Sequence, residues 1–435
     1  MNYEEALTGI HGLYRFGASL GLERVTKLME LLGNPQQKFR TIHVAGTNGK
    51  GSTSAFLAKI LEAEGYRVGL YTSPYIEAFT NRMAINGKDI SEDYLVKLVE
   101  EVKGAVEELA ASPIGQPTEF EVVTALAFTY FAQAAPDWVV VEVGLGGRLD
   151  ATNVITPDVT VITNIALDHT ETLGDSVAAI AAEKAGIIKP GIPVVTGAQK
   201  EEALTVIREV AESKQAPMYT LDVDFAQQVS ALTLDGLTFN YSSPQHQLHD
   251  LQIKLLGRHQ ARNASLAIAA RELMPIPFNE QAVREGLLQT AWPGRLEIFS
   301  RAPLVLVDGA HNPDGVLALR AALEELLQGR KLHLVLGVLG DKAVDEIVGV
   351  IVPLATAEVI VTTPNNPRAA DPHVLAEIVK KYCHNIPVKV VEAIPDAVAE
   401  AVAATKADEA LCISGSLYTI SEAREVLKKF YSQNS

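Results

Sequence analysis

Residues 44–54 read Val-Ala-Gly-Thr-Asn-Gly-Lys-Gly-Ser-Thr-Ser, three glycines and one lysine among hydroxyls, set between an apolar run and an amphipathic one. The standard phosphate-loop spelling is G-x-x-x-x-G-K-[ST]. Here Val44 stands where the first glycine belongs, and Gly51 separates Lys50 from the hydroxyl of Ser52. The strict motif fails, but its ingredients remain. Gly46, Gly49 and Gly51 carry no Cβ, so backbone N–H groups can turn toward an anion. A following helix offers unpaired N-terminal donors and its positive dipole end, and Lys50 offers a point charge. The competing reading is an ordinary glycine-rich connection with a solvated lysine. The strand before and helix after favour a nucleotide site spanning Gly46, Thr47, Asn48, Gly49, Lys50, Gly51 and Ser52.

A triphosphate needs a divalent cation, and magnesium takes few protein oxygens. Candidates lie at strand ends, where open α/β sheets bind ligands. Glu142 ends the run WVVVEVG, where an unpaired carboxylate is costly; its alternative is a water-facing place on an edge strand. Asp168 and His169 follow VTVITNIAL, although a lone histidine at a strand end is commonly structural. Ser73 follows GLYT and offers a hydroxyl. Lys184 lies on an alanine-rich helix and, taken alone, reads as a solvated face residue. Gly144-Leu145-Gly146-Gly147 lacks G-x-G-x-x-G spacing and opens no helix, so a nicotinamide cofactor is discounted.

The elements that must position these groups follow from the wider pattern. A chain of 435 residues is expected to form two or three domains. A net charge of −16 argues against general affinity for nucleic acid or anionic membrane. No apolar run is long enough to span a bilayer, and the acidic start MNYEEALTG is unlike a secretion signal. Two cysteines, Cys383 and Cys412, read as buried packing residues, and the expected compartment is the cytosol. Strands are expected at 41–45, 67–73, 138–144 and 159–167, with helices near 92–110, 119–134, 175–188 and 200–214. SALTL and LTFNY around Asp235-Gly236 predict a hairpin. Strands at 303–311, 332–340, 357–363, 388–393 and 410–416 predict a second alternation. The expected fold is α/β: a P-loop-type, mainly parallel sheet domain over 1–292, a small antiparallel appendage at 218–256, a hinge near 291–296, and a smaller Rossmann-like domain over 296–435. Two such domains commonly hold a ligand at a shared cleft.

Several motifs together resemble one family. AGTNGKGS (45–52), TSPYIEAFTNRMAINGK (72–88), VEVGLGGRLDATN (141–153), LDHTETLG (167–174), EKAGIIKPG (183–191), GRHQARN (257–263), WPGRLE (292–297), VDGAHNPDG (307–315) and ISGSLY (413–418) look like folylpolyglutamate synthase, a branch of the Mur-type ATP-dependent amide ligases. The resemblance covers nearly the whole chain. It implies that Gly46 to Ser52 hold ATP, with Lys50 on the outer phosphates, and that Ser73, Glu142 and His169 surround magnesium. Lys184 matches a position that such ligases often carbamylate. Asn263, Arg295 and Asp308 would contact nucleotide, and His311 the nucleotide and amino-acid sites. Arg82, Phe120 and Glu121 would lie near the folate, Ser414 and Ser416 near the incoming glutamate.

The implied reaction joins L-glutamate to the γ-carboxylate of a tetrahydrofolate through an acyl phosphate. It uses positioned charge and no nucleophilic cysteine or serine triad. Dihydrofolate synthase, which joins glutamate to dihydropteroate, stands beside it as an alternative or second activity. A cell-wall Mur ligase would need a further N-terminal domain, and the loop lysine is already at residue 50. A nucleotide-dependent regulator without ligase turnover is the reading from another class. The expected partners are small molecules only, with no nucleic acid and no membrane, and the expected state is a monomer.

Overall fold

A computed structural model describes residues 1–13, 21–383 and 385–432 of the chain. These divide into two compact units: the described residues within 1–228, 240–251 and 262–290 form the first, and those within 229–239, 252–261 and 291–432 the second.

The first unit is built on eight strands: β1 (Arg40–Ala45), β2 (Val68–Tyr71), β3 (Met83–Ile85), β4 (Lys88–Asp89), β5 (Trp138–Glu142), β6 (Val159–Ile162), β7 (Val194–Thr196) and β8 (Met218–Thr220). They lie in the order β4-β3-β2-β5-β1-β6-β7-β8. The β2, β5, β1, β6, β7 and β8 ladder is parallel, and β3 and β4 are antiparallel additions. Continuous Val and Ile runs suit strands covered on both faces. Tyr71, Val139 and Val141 pack with Leu126, Phe128 and Phe131 of the helix Glu119–Ala134. Ile162 and Val194 pack with Ile180, Ala203 and Ile207 from the helices Val177–Ala185 and Glu201–Ser213. Burying each large side chain contributes about 1.5–3 kcal/mol.

Strands end earlier than their apolar runs. β5 stops at Glu142 and β6 at Ile162, and the residues beyond them turn into loops. Met218–Thr220, expected within the antiparallel appendage, instead pairs parallel to β7 as the sheet's edge. The antiparallel sheet therefore contains β9 (Ala226–Thr233), β10 (Gly236–Ser242) and β11 (Gln247–Ile253), in the order β11-β10-β9. Its hairpin residues 229–239 group with the second unit. Arg301 holds the turn, donating to Leu234 O at 3.1 Å and Asp235 Oδ1 at 2.8 Å.

The second unit's six strands are β12 (Glu297–Arg301), β13 (Leu304–Val307), β14 (Leu332–Leu336), β15 (Glu358–Thr363), β16 (Val388–Ala393) and β17 (Ala410–Ser414). Their order is β12-β13-β17-β14-β15-β16, parallel except for β12. Alternation assigns the two faces. Leu304, Leu306, Leu332, Leu334, Val359 and Val361 share one core with the helices Pro313–Leu326 and Val344–Ile351. Val305, Val307, Val335, Ile360, Leu411 and Ile413 share the other with Ile394–Ala404 and Leu417–Ser432. Both cysteines are free thiols: Cys412 is buried and Cys383 half-buried. Among the described residues no helix is long and apolar enough to cross a membrane.

Candidate active site

The loop after β1 is clamped by the exit of β6. Thr163 Oγ1 donates to Asn48 O at 2.6 Å and to Ala45 O at 3.3 Å. Asn48 N donates to Asn164 Oδ1 at 2.7 Å, and Thr47 N to Asn164 O at 2.9 Å. Thr47 Oγ1 donates to Ala166 O and accepts from Ala166 N, both at 3.1 Å. Two glycines are forced by this closeness. Gly46 has φ 149°, and a Cβ there would stand 1.8 Å from Thr163 Oγ1. Gly49 has φ 82°, and its Cβ would stand 2.4 Å from Asn263 Oδ1. The helix Lys50–Ala63 then begins, so Gly51 and Ser52 belong to its first turn rather than to the loop. Its free N-terminal amides face the anion-binding end of the element.

Two lysines converge on one carbonyl. Lys50 Nζ donates to Gly46 O and Thr47 O at 3.2 Å, and Lys184 Nζ donates to Gly46 O at 2.9 Å. Lys184 is only 4% exposed, so the solvated-face reading of its helix is wrong. Burial, then the positive charge of Lys50, lowers its pKa to about 7, while Asp168 and Asp150 oppose that shift. Near neutrality a large fraction of this amine is unprotonated and nucleophilic.

Glu142 ends β5, which lies between β2 and β1 and is not an edge strand. The carboxylate is 5% exposed, and its Oε2 accepts from the backbone N of Ser73 at 3.2 Å. The backbone of Ser73, rather than its hydroxyl, makes this contact. Asp168 Oδ1 accepts from His169 N at 2.9 Å and lies 4.0 Å from His169 Nε2. His169 takes a left-handed φ of 51° and starts the short helix Thr170–Leu173, with its ring 40% exposed. Among the described residues no group of three or more His, Cys, Asp or Glu side chains is arranged to hold a metal. The Glu142 carboxylate and the Ser73 hydroxyl are oxygen donors of the kind magnesium takes, with waters and substrate oxygens filling the rest of its shell.

Arg82 lies over Tyr75 and Phe79, 5.1 and 5.4 Å from the ring centres. Phe120 covers Gly144, where a Cβ would meet its ring at 2.4 Å, and stacks near Tyr71 at 6.4 Å. Burial pushes the Tyr71 hydroxyl's pKa up, opposed first by the charge of Arg82. Glu121 has structural work: its Oε2 accepts from Thr118 N at 2.7 Å and Arg24 Nε at 3.0 Å.

The sequence reading missed Thr163, Asn164 and Asp150. Asp150 accepts from Leu145 N at 2.8 Å, Thr152 N at 3.0 Å and Thr152 Oγ1 at 2.5 Å. Burial raises its pKa against these bonds. The available signal was an acid two residues before a threonine in Asp-Ala-Thr, the pattern of a cap.

In the second unit, Asp308 accepts from Leu296 N at 2.9 Å and Ala310 N at 2.8 Å. Burial raises its pKa and the charge of Arg295 opposes this. His311 Nδ1 lies 2.8 Å from Gly309 O. His259, also missed, is half-buried with its pKa lowered to about 4, by desolvation first and then by Arg295. Ser414 Oγ is buried without a hydrogen-bond partner. Ser416 Oγ is engaged, accepting from Thr419 N at 3.0 Å and lying 2.8 Å from Thr419 Oγ1.

Comparison with known proteins defines first the class. Residues 44–271 match the Mur ligase middle domain and residues 294–417 the Mur ligase glutamate ligase domain. The dihydrofolate synthase/folylpolyglutamate synthase of Bacillus subtilis is 41% identical, covering 98% of this chain and 99% of that protein. The folylpolyglutamate synthase of Lacticaseibacillus casei is 39% identical with the same coverage. The structure of Mycobacterium tuberculosis folylpolyglutamate synthase complexed with ADP superposes with a TM-score of 0.91 at 34% identity, covering 98% of this chain and 99% of that one. The chain belongs to the folylpolyglutamate synthase/dihydrofolate synthase family of Mur-type ligases.

Proposed function

We propose that this chain is an ATP-dependent ligase that adds L-glutamate to the γ-carboxylate of tetrahydrofolate (poly)glutamates, releasing ADP and phosphate, with glutamate addition to dihydropteroate as a second activity. The convergence of Lys50 and Lys184 on the Gly46 carbonyl, inside a glycine loop at a helix N-terminus, carries this reading. The relatives named above support its substrates.

In this reading the Gly46–Ser52 backbone and Lys50 hold the triphosphate, with Asn263, Arg295 and Asp308 on the nucleotide. The acceptor carboxylate attacks the γ-phosphorus, ADP leaves, and the acyl phosphate is then attacked by the amine of glutamate with loss of phosphate. Little covalent help is needed from the protein, and positioned charge does most of the work. Ser73, Glu142 and His169 would hold magnesium. Bound there, it would neutralise charge on the phosphoryl oxygens. Lys184, a buried amine with a depressed pKa, is chemically suited to carbamylation, which would turn a cation into a carboxylate-like group. We assign Arg82, Phe120 and Glu121 to the folate side, and His311, Ser414 and Ser416 to the incoming glutamate. Of the two serines, Ser414 has the hydroxyl left to give.

We divide the chain functionally into 1–292 and 296–435 with a hinge at 291–296, which the family matches at 44–271 and 294–417 support. We also read it as a cytosolic monomer, on its acidic balance and free thiols. Parallel reactions with tetrahydrofolate and dihydropteroate, read as product mass and ADP release, test the assignment. Product from neither acceptor would overturn it.

A further inference from the structure

The pairing of β1 with β6 does not stop where the strands do. Their last in-register pair is Ala45 with Ile162. Beyond it Thr163 N donates to Ala45 O and Thr47 N to Asn164 O, both at 2.9 Å, so the parallel ladder runs one step further. The next rung is made by a side chain. Thr47 Oγ1 donates to Ala166 O and accepts from Ala166 N, each at 3.1 Å, and one hydroxyl thereby engages both backbone groups of one residue. Asn164 adds a side-chain rung of its own, accepting from Asn48 N at 2.7 Å.

The carbonyls of this stretch are committed as well. Ala45 O accepts from Thr163 N and Oγ1, Gly46 O from Lys50 and Lys184, Thr47 O from Lys50, and Asn48 O from Thr163 Oγ1. The amides of Thr47 and Asn48 and the hydroxyl of Thr47 therefore aim their protons at the β6 exit. Donors for a phosphate come further along, from the amides that open the helix Lys50–Ala63. On the other side of the joint, Ala166 stands two residues before Asp168 and three before His169. Whatever fixes Ala166 fixes the approach to those side chains.

We propose that Thr47, read from the sequence as an ATP contact, is instead a positioning residue whose hydroxyl joins the phosphate loop to the β6 exit. The triphosphate and the Asp168–His169 end are then held in one frame. This rests on the function proposed above and narrows it. A reaction that depends on placement more than on covalent help loses about a hundredfold in rate for a displacement of about 1 Å. A joint between the two loops guards against that displacement without touching the reacting atoms.

The test compares wild type with T47V, which keeps the shape and loses the hydroxyl, and with T47S, which keeps the hydroxyl. Hydrogen exchange is read first, on the full chain without nucleotide. In T47V the Ala166 amide is expected to exchange about ten- to a hundred-fold faster, the range for losing two hydrogen bonds, with T47S close to wild type. A side chain that served only to touch phosphate would leave exchange in the free protein unmoved. Calorimetry with ADP and magnesium, then steady-state kinetics, read the consequence. T47V is expected to hold ADP within about three-fold of wild type and to lose about ten- to a hundred-fold in kcat, most of which T47S regains. T47A carries the comparison if T47V does not fold. Unchanged exchange at Ala166, or a loss confined to ADP affinity with kcat kept, overturns the proposal. The exchange measurement needs no turnover, so a chain that shows it but forms no amide would sink the proposed function alone.

Discussion

The ammonium groups of Lys50 and Lys184 share one acceptor, the carbonyl of Gly46, at 3.2 and 2.9 Å. Two cations held this close oppose one another, and Lys184 yields because it is the more deeply buried, with its pKa lowered to about 7. The arrangement costs stability in the free protein and prepares a concentrated positive field for an anion.

Replacing Lys184 by Met separates the two effects. A lysine whose folded pKa lies below its unfolded value of 10.5 binds fewer protons when folded. Its contribution therefore makes stability fall as pH drops from 10.5 toward 7. K184M is expected to melt a few degrees higher than wild type at pH 7, with the gap narrowing toward pH 10, while turnover drops at least a hundredfold. Melting curves at several pH values check the sign. A variant less stable at pH 7 would contradict the burial argument.

Lys50 answers the complementary question. K50A removes the less buried partner of the pair, leaves the Lys184 bond to Gly46, and should keep the fold. Binding of a non-hydrolysable ATP analogue is expected to weaken by about 2 kcal/mol or more, and amide formation to stop. Calorimetry and product assays report both. Normal activity in K50A would remove the loop from the account.

G46A should be among the most damaging changes to a small residue. The new Cβ would stand 1.8 Å from Thr163 Oγ1 at a backbone φ of 149°. Overpacking and left-handed strain together are expected to cost about 2–5 kcal/mol. G46A/T163A removes the clash but not the strain, so it should recover part of the stability. Additive losses in the double variant would show that Thr163 is not what excludes the side chain.

Acid titrates two desolvated imidazoles. His43, with Nε2 2.9 Å from Thr152 Oγ1, has its pKa lowered to about 3, and His259 to about 4. From pH 6.5 down to about 4 the unfolded chain binds protons that the folded chain refuses, so both groups make stability fall with pH. H43Q and H259Q should each flatten the pH 4–6.5 slope of denaturant midpoints. An unchanged slope in both would place the acid sensitivity elsewhere.

What the sequence exposed follows from which signals are local. The valine runs of β1, β5 and β6 and the glycines around Lys50 announce themselves within a few residues, because burial on both faces and tight turns leave compositional marks. The roles of Thr163 and Asn164 depend on β6 lying beside β1, a register that no local pattern states. Lys184 misled for the same reason: an alanine-rich helix looks solvated until its partners are known, and here it is buried against the Gly46 carbonyl. Met218–Thr220 is too short to signal that it extends the parallel sheet rather than the hairpin. Unpaired groups such as the Arg82 Nε and Ser414 Oγ can only be recognised once every neighbour is in place.

The most direct test is the mass of the product formed when wild-type chain, ATP, magnesium and L-glutamate are incubated with tetrahydrofolate. The account predicts a folate one glutamyl residue heavier, γ-linked, with one ADP released per bond. ADP release without any glutamylated product, from this acceptor or from dihydropteroate, would contradict it.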